Sequence, residues 1–432
     1  MSRTHKKLSW LGTVPTHWQI LSLRQILTAC SEKNHPEMPL LSVVREKGVI
    51  VRNIDDKNHN YVPDDLSNYK LVKRGQFAVN KMKAWQGSYG VSPFDGIVSP
   101  AYFVFNINYD MNHDFFNKAI RSKAYVNYFG QASDGIRVGQ WDLSMKRLKD
   151  LPFCLPPRDE QEQIVRFLDW KIAGINKLIG IKQKQQTTLK EFMQAGIEKQ
   201  LYAYPMEDTI RLKHLGTFFK GGSFSRDNLV EESLYPAILY GDIYTQYEYK
   251  TSVVVHHIDG AAYSASRKIS KGDIVLAGTG ETKDEIGKPI LYLGDQMVAV
   301  GGDVIVFRPN EGINAEYLLY QLYSQSALKH RYINSKGDII VHIYPTSLEN
   351  TLISFPSTNN QEKTVKRINE TIHRVKKALH LLTDAIVKLR EYRERLISDV
   401  VTGKIDVRHI EGNADKMKSP RFAQMHCIYR GD

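Results

Sequence analysis

The sequence predicts an α+β chain built twice over: a mixed globule, a long helix, a second mixed globule and a second long helix. Three observations carry that prediction. Residues 158–203 and 358–402 hold apolar side chains at alternating spacings of three and four, with no proline inside, which is the pattern of long amphipathic helices. Adding 200 to the first copy reproduces the second. Pro156, Gln161, Glu162, Val165, Ile172, Leu189, Glu191 and Ile197 return as Pro356, Gln361, Glu362, Val365, Ile372, Leu389, Glu391 and Ile397. The stretches before the two helices also share one order of short strand-like and turn-rich segments. The layout expected is a first globule over 1–150, a helical spacer over 151–204, a second globule over 205–350, a second spacer over 351–410 and a loose polar tail over 411–432.

Taken in order, Trp10-Leu11-Gly12 to Trp18 is a turn-rich lead-in. Leu40–Val44 and Gly48–Val51 alternate like two strands around a turn, and Leu71–Val79 reads as a turn leading into a strand. Lys81-Met82-Lys83-Ala84-Trp85-Gln86-Gly87-Ser88-Tyr89 is the densest polar loop of the first globule, and Ile97–Phe105 returns as a strand. A helix is expected over Phe115–Tyr128 and a loop at Gly135–Val138. Pro152, Pro156 and Pro157 then stop the extended chain, and Asp159, Glu160 and Glu162 place negative charge in the first turn of the long helix. The second globule repeats the order: Ile210–Lys213, a polar turn at Phe218–Phe224, a strand over Tyr235–Tyr244, a strand over Ile269–Leu276, the loop Gly278–Lys283, a strand at Val304–Phe307 and a helix over Ala315–Leu328. Thr358 and Gln361 have the spacing of a capping box, and Gly403 suits a C-terminal stop. Lys182 and Gln186 occupy central positions of the first heptad stripe and weaken it there.

Composition narrows the partners. Hydrophobic content of 42% with 10% aromatics supports real cores. Lys+Arg 59 against Asp+Glu 47 gives a net charge of +12, which suits a polyanion. The excess sits in 1–150 and 346–408, whereas 210–345 is close to neutral, so the second globule must meet a polyanion through a local patch. Cys30, Cys154 and Cys427 are scattered, with no zinc spacing or disulfide framework. Met1–Lys7 lacks an apolar signal core and no stretch approaches a spanning length, so a cytoplasmic protein without a membrane partner is expected.

The motifs of catalysis fail in turn. Gly287-Lys288 lacks the earlier glycine of a phosphate loop, which is Thr282, and Pro289 stands where a hydroxyl residue is needed. Pro63-Asp64 starts like a nuclease motif, but no glutamate follows from Leu66 to Phe94. No GxSxG or HExxH occurs, and His256-His257 reads as a surface pair rather than a metal site. The loops suit DNA instead: cations neutralise phosphates, amides and hydroxyls read base edges, and glycines let backbone approach a groove. The candidates are Lys81, Lys83, Trp85, Gln86, Ser88, Tyr89, Arg137 and Gln140 in the first globule. In the second they are Lys220, Ser223, Arg226, Tyr240, Tyr244, Thr279, Thr282, Lys283 and Lys288. The competing reading is a glycine-rich surface loop with solvated charges, with Trp85 or Tyr102 simply part of the core.

On these residues the chain resembles the DNA specificity subunit of type I restriction–modification systems. The resemblance is carried by Trp10-Leu11-Gly12 with Pro15 and Trp18, by Leu151-Pro152 with Pro156-Pro157 and Glu160-Gln161, by Lys81–Ser92, and by Leu396-Ile397 with Val401-Thr402-Gly403-Lys404-Ile405-Asp406. Ser357-Thr358-Asn359-Asn360 departs from the usual opening of the second helix. The resemblance implies two target-recognition domains, one per half of a bipartite site, and two long helices pairing as an antiparallel coiled coil with pseudo-twofold symmetry. It implies double-stranded DNA, two methyltransferase subunits and two restriction/translocase subunits as partners. S-adenosylmethionine, ATP and Mg would belong to those partners, and this chain would carry no cofactor, metal or catalytic residue. A coiled-coil architectural DNA-binding protein and the specificity subunit of a methylation-only complex are the alternatives.

Overall fold

The computed structural model describes residues 11–12, 14–52, 62–137, 140–204, 209–222, 224–231 and 233–410, with 134–137 and 140–142 as backbone only. Trp10, Ser223 and the tail expected over 411–432 lie outside the described residues. The chain divides into two compact units, one of residues 1–183 with 384–432 and one of residues 184–383.

The first unit opens with β1 (Gln19–Ser22), α1 (Leu23–Ile26) and β2 (Leu27–Cys30). β3 (Leu41–Val44) and β4 (Gly48–Val51) form the expected hairpin, with Leu41 and Val43 buried and Ser42 and Val44 less so. β5 (Lys70–Val72), β6 (Phe77–Asn80), β7 (Tyr89–Val91), β8 (Gly96–Val98) and β9 (Tyr102–Ile107) follow. The central sheet is antiparallel in the order β2-β9-β6-β7. Ile97–Phe105 is thus two strands rather than one. Pro100 carries no amide proton, and a turn closed by Tyr102 N–H on the Ser99 carbonyl separates them.

The helix expected over 115–128 is also two, α2 (His113–Ile120) and α3 (Lys123–Ala132). Asn112 caps α2 by accepting from the amides of Asp114 and Phe115, and Ser122 turns back to extended geometry before α3. β10 (Asp134–Arg137) and β11 (Gln140–Asp142) form a hairpin where a loop was expected. α4 (Met145–Asp150) leads to β12 (Pro152–Leu155), which pairs back onto β1. Phe77, Phe105, Phe115, Phe116, Phe129 and Phe153 fill the core between sheet and helices.

The helix α5 (Arg158–Leu201) is 44 residues long, as the periodicity predicts. The second unit then runs β13 (Thr209–Arg211), β14 (Gly216–Lys220), β15 (Tyr235–Ile238), α6 (Tyr240–Thr245), β16 (Lys250–Thr251), β17 (His256–Ile258), α7 (Gly260–Ala265), β18 (Lys268–Ile269) and β19 (Ile274–Ala277). It continues through β20 (Thr279–Gly280), β21 (Pro289–Tyr292), β22 (Val298–Val300), β23 (Val304–Pro309), α8 (Ala315–Leu322), α9 (Gln325–Asn334), β24 (Val341–His342), α10 (Pro345–Leu348) and β25 (Leu352–Ser354). Its sheets are β14-β23-β19-β21-β16 and β17-β15-β22-β18. The strand expected over Tyr235–Tyr244 ends at Ile238, because the Asp242 carboxylate accepts from Leu239 N–H at 2.9 Å and turns the chain into α6. The duplication persists in detail: β13 pairs with β25 as β1 does with β12, and Asn314 caps α8 as Asn112 caps α2.

The last helix, α11 (Thr358–Val401), is also 44 residues long and stops before Gly403, whose φ is +77°. Its start corrects the capping-box expectation. Thr358 is already helical, and the buried Gln361 side chain instead donates to the Pro356 carbonyl at 2.8 Å. The two long helices pack antiparallel. In the first unit Gln163 donates to the carbonyls of Val407 and Ile410, and Asn176 accepts from Arg393 at 2.7 Å. In the second Gln186 donates to Thr383 at 2.8 Å, and Gly196 lies against Thr371. A polar contact thus replaces apolar packing where Gln186 interrupts the stripe.

Candidate nucleic-acid interface

In the first unit the polar loop is a compact turn between β6 and β7. Lys83 N–H bonds to the Asn80 carbonyl, Gln86 N–H to that of Lys83, and Gly87 N–H to that of Ala84. The turn closes on Gly87 at φ +88°, where a side chain would be strained and would meet Val126 of α3 at 3.2 Å. Ala84 is buried beneath it. Tyr89 is a correction: its ring stacks on Phe129 at 4.3 Å and meets Phe77 edge-on, and it is fully buried. Burial pushes its phenol far above the ordinary value. Ser88 is buried as well, its carbonyl accepting from Asn80. Both support the loop from below. Lys83 is exposed, Lys81, Trp85 and Gln86 are half-buried, and exposed Met82, which the sequence reading passed over, lies between the two lysines. The hairpin β10–β11 adjoins the loop through Leu143 N–H on the Lys81 carbonyl and pairs Arg137 with Gln140 in register. The side chains of Arg137 and Gln140 lie outside what is described.

The second unit builds its loop, residues 278–288, differently. β20 pairs with β24, and Thr279 Oγ1 bonds His342 Nδ1 at 3.1 Å. The Tyr244 hydroxyl lies 3.2 Å from the Thr279 carbonyl and 3.4 Å from that of Glu285, so it spans the loop's two arms. Lys288 Nζ donates to the carbonyls of Tyr247 at 2.7 Å and Tyr244 at 3.5 Å, the end of α6, and burial lowers its pKa. Thr279, Tyr244 and Lys288 thus tie the loop to its neighbours. Their polar groups are committed to holding the loop, a role that sequence spacing does not distinguish from base reading.

What remains outward is Thr282 and Lys283 at the tip, among exposed Glu281, Asp284 and Glu285. Lys283 lies 3.6 Å from Asp338. Beside them Arg226 and Tyr240 line a cleft of about 470 Å³ with Asp227, Gly241 and the turn Gly301-Gly302-Asp303. Lys220, exposed, places its ammonium 5.2 Å over the Tyr344 ring. The structure thus gathers Lys220, Arg226, Tyr240, Thr282 and Lys283 at one end of the larger sheet. Asp227, Asp303 and Tyr344, missed in the sequence, join them; the turn glycines at 301–302 were the signal available. Carboxylates repel phosphate but accept from the amino groups of base edges, so this end suits base contact more than backbone anchoring.

Among the described residues no cluster of His, Cys, Asp and Glu could hold a metal ion, and no helix is long and apolar enough to cross a membrane. His256, read as part of a surface pair, approaches the buried Asp242 carboxylate at 2.9 Å.

Residues 206–380 match the family described as type I restriction modification DNA specificity domain. No curated protein matches the chain. Among solved structures, a chain from work on complex assembly and conformational transition of the type I R-M system is 14% identical, with a TM-score of 0.68 over 91% of this chain and 100% of that one. The HsdS subunit from Thermoanaerobacter tengcongensis is 16% identical, with a TM-score of 0.50 over 91% of this chain and 98% of that one. At these identities the likeness is one of fold.

Proposed function

We propose that this chain, whose residues 206–380 match the family described as type I restriction modification DNA specificity domain, is the DNA-reading subunit of such a system. Each unit reads one half of a bipartite duplex site. The observation that carries the reading is the repeated loop device. Residues 81–88 and 278–288 each sit on the second helix of a capped helix pair and bend on a left-handed glycine, Gly87 or Gly287, yet present different side chains. One scaffold with two unlike reading edges is what two different half-sites require. Lys83 and Gln86 lead in the first unit, and Arg226, Tyr240, Thr282 and Lys283 in the second.

The chemistry then lies elsewhere. Two methyltransferase subunits carrying S-adenosylmethionine, and two restriction/translocase subunits using ATP and Mg, act at the address this chain selects. The chain itself contributes no catalytic group, and it works in the cytoplasm with the DNA it reads. The test is exchange: residues 210–345 are replaced by those of a relative, and the methylated motif is sequenced in the host. One half-site should change while the other stays. A change of both halves together, or methylation by the purified chain alone, overturns the proposal. Motif-specific methylation with no cleavage in cells that carry the whole system would identify the methylation-only form.

A further inference from the structure

We propose that Arg331 is the positioning residue of the second reading loop: buried away from DNA, its guanidinium sets the shape in which the tip meets bases. The inference rests on the reading above. Arg331 lies in α9 and is 2% exposed. Its Nε donates to the Ile286 carbonyl at 3.1 Å and its Nη1 to the Leu322 carbonyl at 2.7 Å. Among the described residues no carboxylate pairs with it. Burial lowers its pKa to about 10, which leaves it charged at neutral pH.

A buried cation held only by carbonyls is costly, so its hydrogen bonds must fix something the fold needs fixed. Both of its partners are informative. Leu322 ends α8, where helix carbonyls lack internal partners and carry partial negative charge. Ile286 closes the exposed tip Glu281–Glu285. Gly287 follows at φ +70°, and a Cβ there would lie 2.5 Å from Arg331 Cδ, so the loop folds down directly onto the arginine. With the hydroxyl of Tyr244 and the ammonium of Lys288 on the other side, the tip is pinned at both arms.

The first unit solves the same problem with apolar contact. Val126 and Phe129 of α3 back Gly87 and Tyr89 where Arg331 of α9 backs Gly287. Ring stacking tolerates small sliding. A planar fork between two carbonyls fixes both, and lysine, a point charge, fixes one at a time.

The test uses the full chain assembled with its methyltransferase partners. Arg331→Leu should raise amide hydrogen exchange over 280–287 by about tenfold, the loss of roughly one net hydrogen bond, and make one half-site of the methylated motif degenerate. Arg331→Lys, which can hold only one of the two carbonyls at a time, should restore the exchange protection and the motif only in part. If Arg331→Leu unfolds the second unit, Arg331→Gln, which keeps an amide donor, takes its place. Unchanged exchange in 280–287 overturns the proposal, and so does a loosened loop with an unchanged motif. A wild-type complex with no sequence preference would instead sink the DNA-reading proposal, and the exchange result would still decide whether Arg331 holds the loop.

Discussion

Replacing Gln161 by leucine should loosen the first unit at the point where its globule meets α5. Gln161 is 2% exposed; its Oε1 accepts from Asn112 N–H at 2.8 Å and its Nε2 donates to the Pro156 carbonyl at 2.8 Å. One amide therefore joins the cap of α2 to the proline stop before α5. Leucine fills a similar volume and satisfies neither group. Each stranded group costs about 1–3 kcal/mol, and the added apolar burial returns about 1 kcal/mol, so the net loss is about 3 kcal/mol. A unit of this size loses about 2–4 °C of midpoint per kcal/mol, which gives a drop of about 6–12 °C. The assay is built into the sequence: all five tryptophans, Trp10, Trp18, Trp85, Trp141 and Trp170, fall in the first unit, so tryptophan fluorescence reports its melting. Gln161→Glu adds a pH signature. It keeps the acceptor but sets a carboxylate against the Pro156 carbonyl, which raises its folded pKa above the unfolded value of about 4.3. The variant's deficit should therefore be small in acid and grow as pH rises through the folded pKa. A Gln161→Leu midpoint within about 1 °C of wild type on the tryptophan signal would refute the bridging role.

Lys83→Ala should weaken binding to matched and unmatched DNA alike and make the slope of log affinity against log salt shallower by about 1, as titrations at several salt concentrations would show. Gln86→Ala should instead relax one position of the first half-site by about 1–3 kcal/mol, read from competition among single-base variants; a uniform loss would reassign it to backbone contact. Burial, then the Arg331 guanidinium, holds the His330 imidazole below its usual value, and Nδ1 bonds the Thr351 hydroxyl at 3.2 Å. The unfolded chain thus takes up the proton first, so stability of the second unit should be complete above about pH 6.5 and fall as pH drops toward the folded pKa. Peptide-resolved hydrogen exchange across that window should show the fall, and His330→Gln should flatten it; an equal fall in the variant would point to another group.

The sequence by itself determined the plan of the chain. Two 44-residue helices, their matched openings and the duplicated strand order were legible because periodicity and a constant offset of 200 are properties of the chain read locally. The hairpin β3–β4 and the glycine stop at Gly403 were legible for the same reason. The breaks at Pro100 and Arg121-Ser122 were visible as letters, yet turning them into two strands and two helices took partners on neighbouring elements. The candidate loops were singled out by composition, but composition could not sort their residues. Tyr89 looked like a reader and is core because Phe129 of α3 covers it; Tyr244 and Lys288 looked like readers and are clamps because the end of α6 lies against the loop. Arg331 carried no signal at all, since an arginine in a helix is ordinarily solvated and only the carbonyls of Ile286 and Leu322, distant in sequence, give it a task. Polar residue types suited to DNA are equally suited to tying a loop down. Which role each takes is decided by burial, and burial is set by the segments that fold over it.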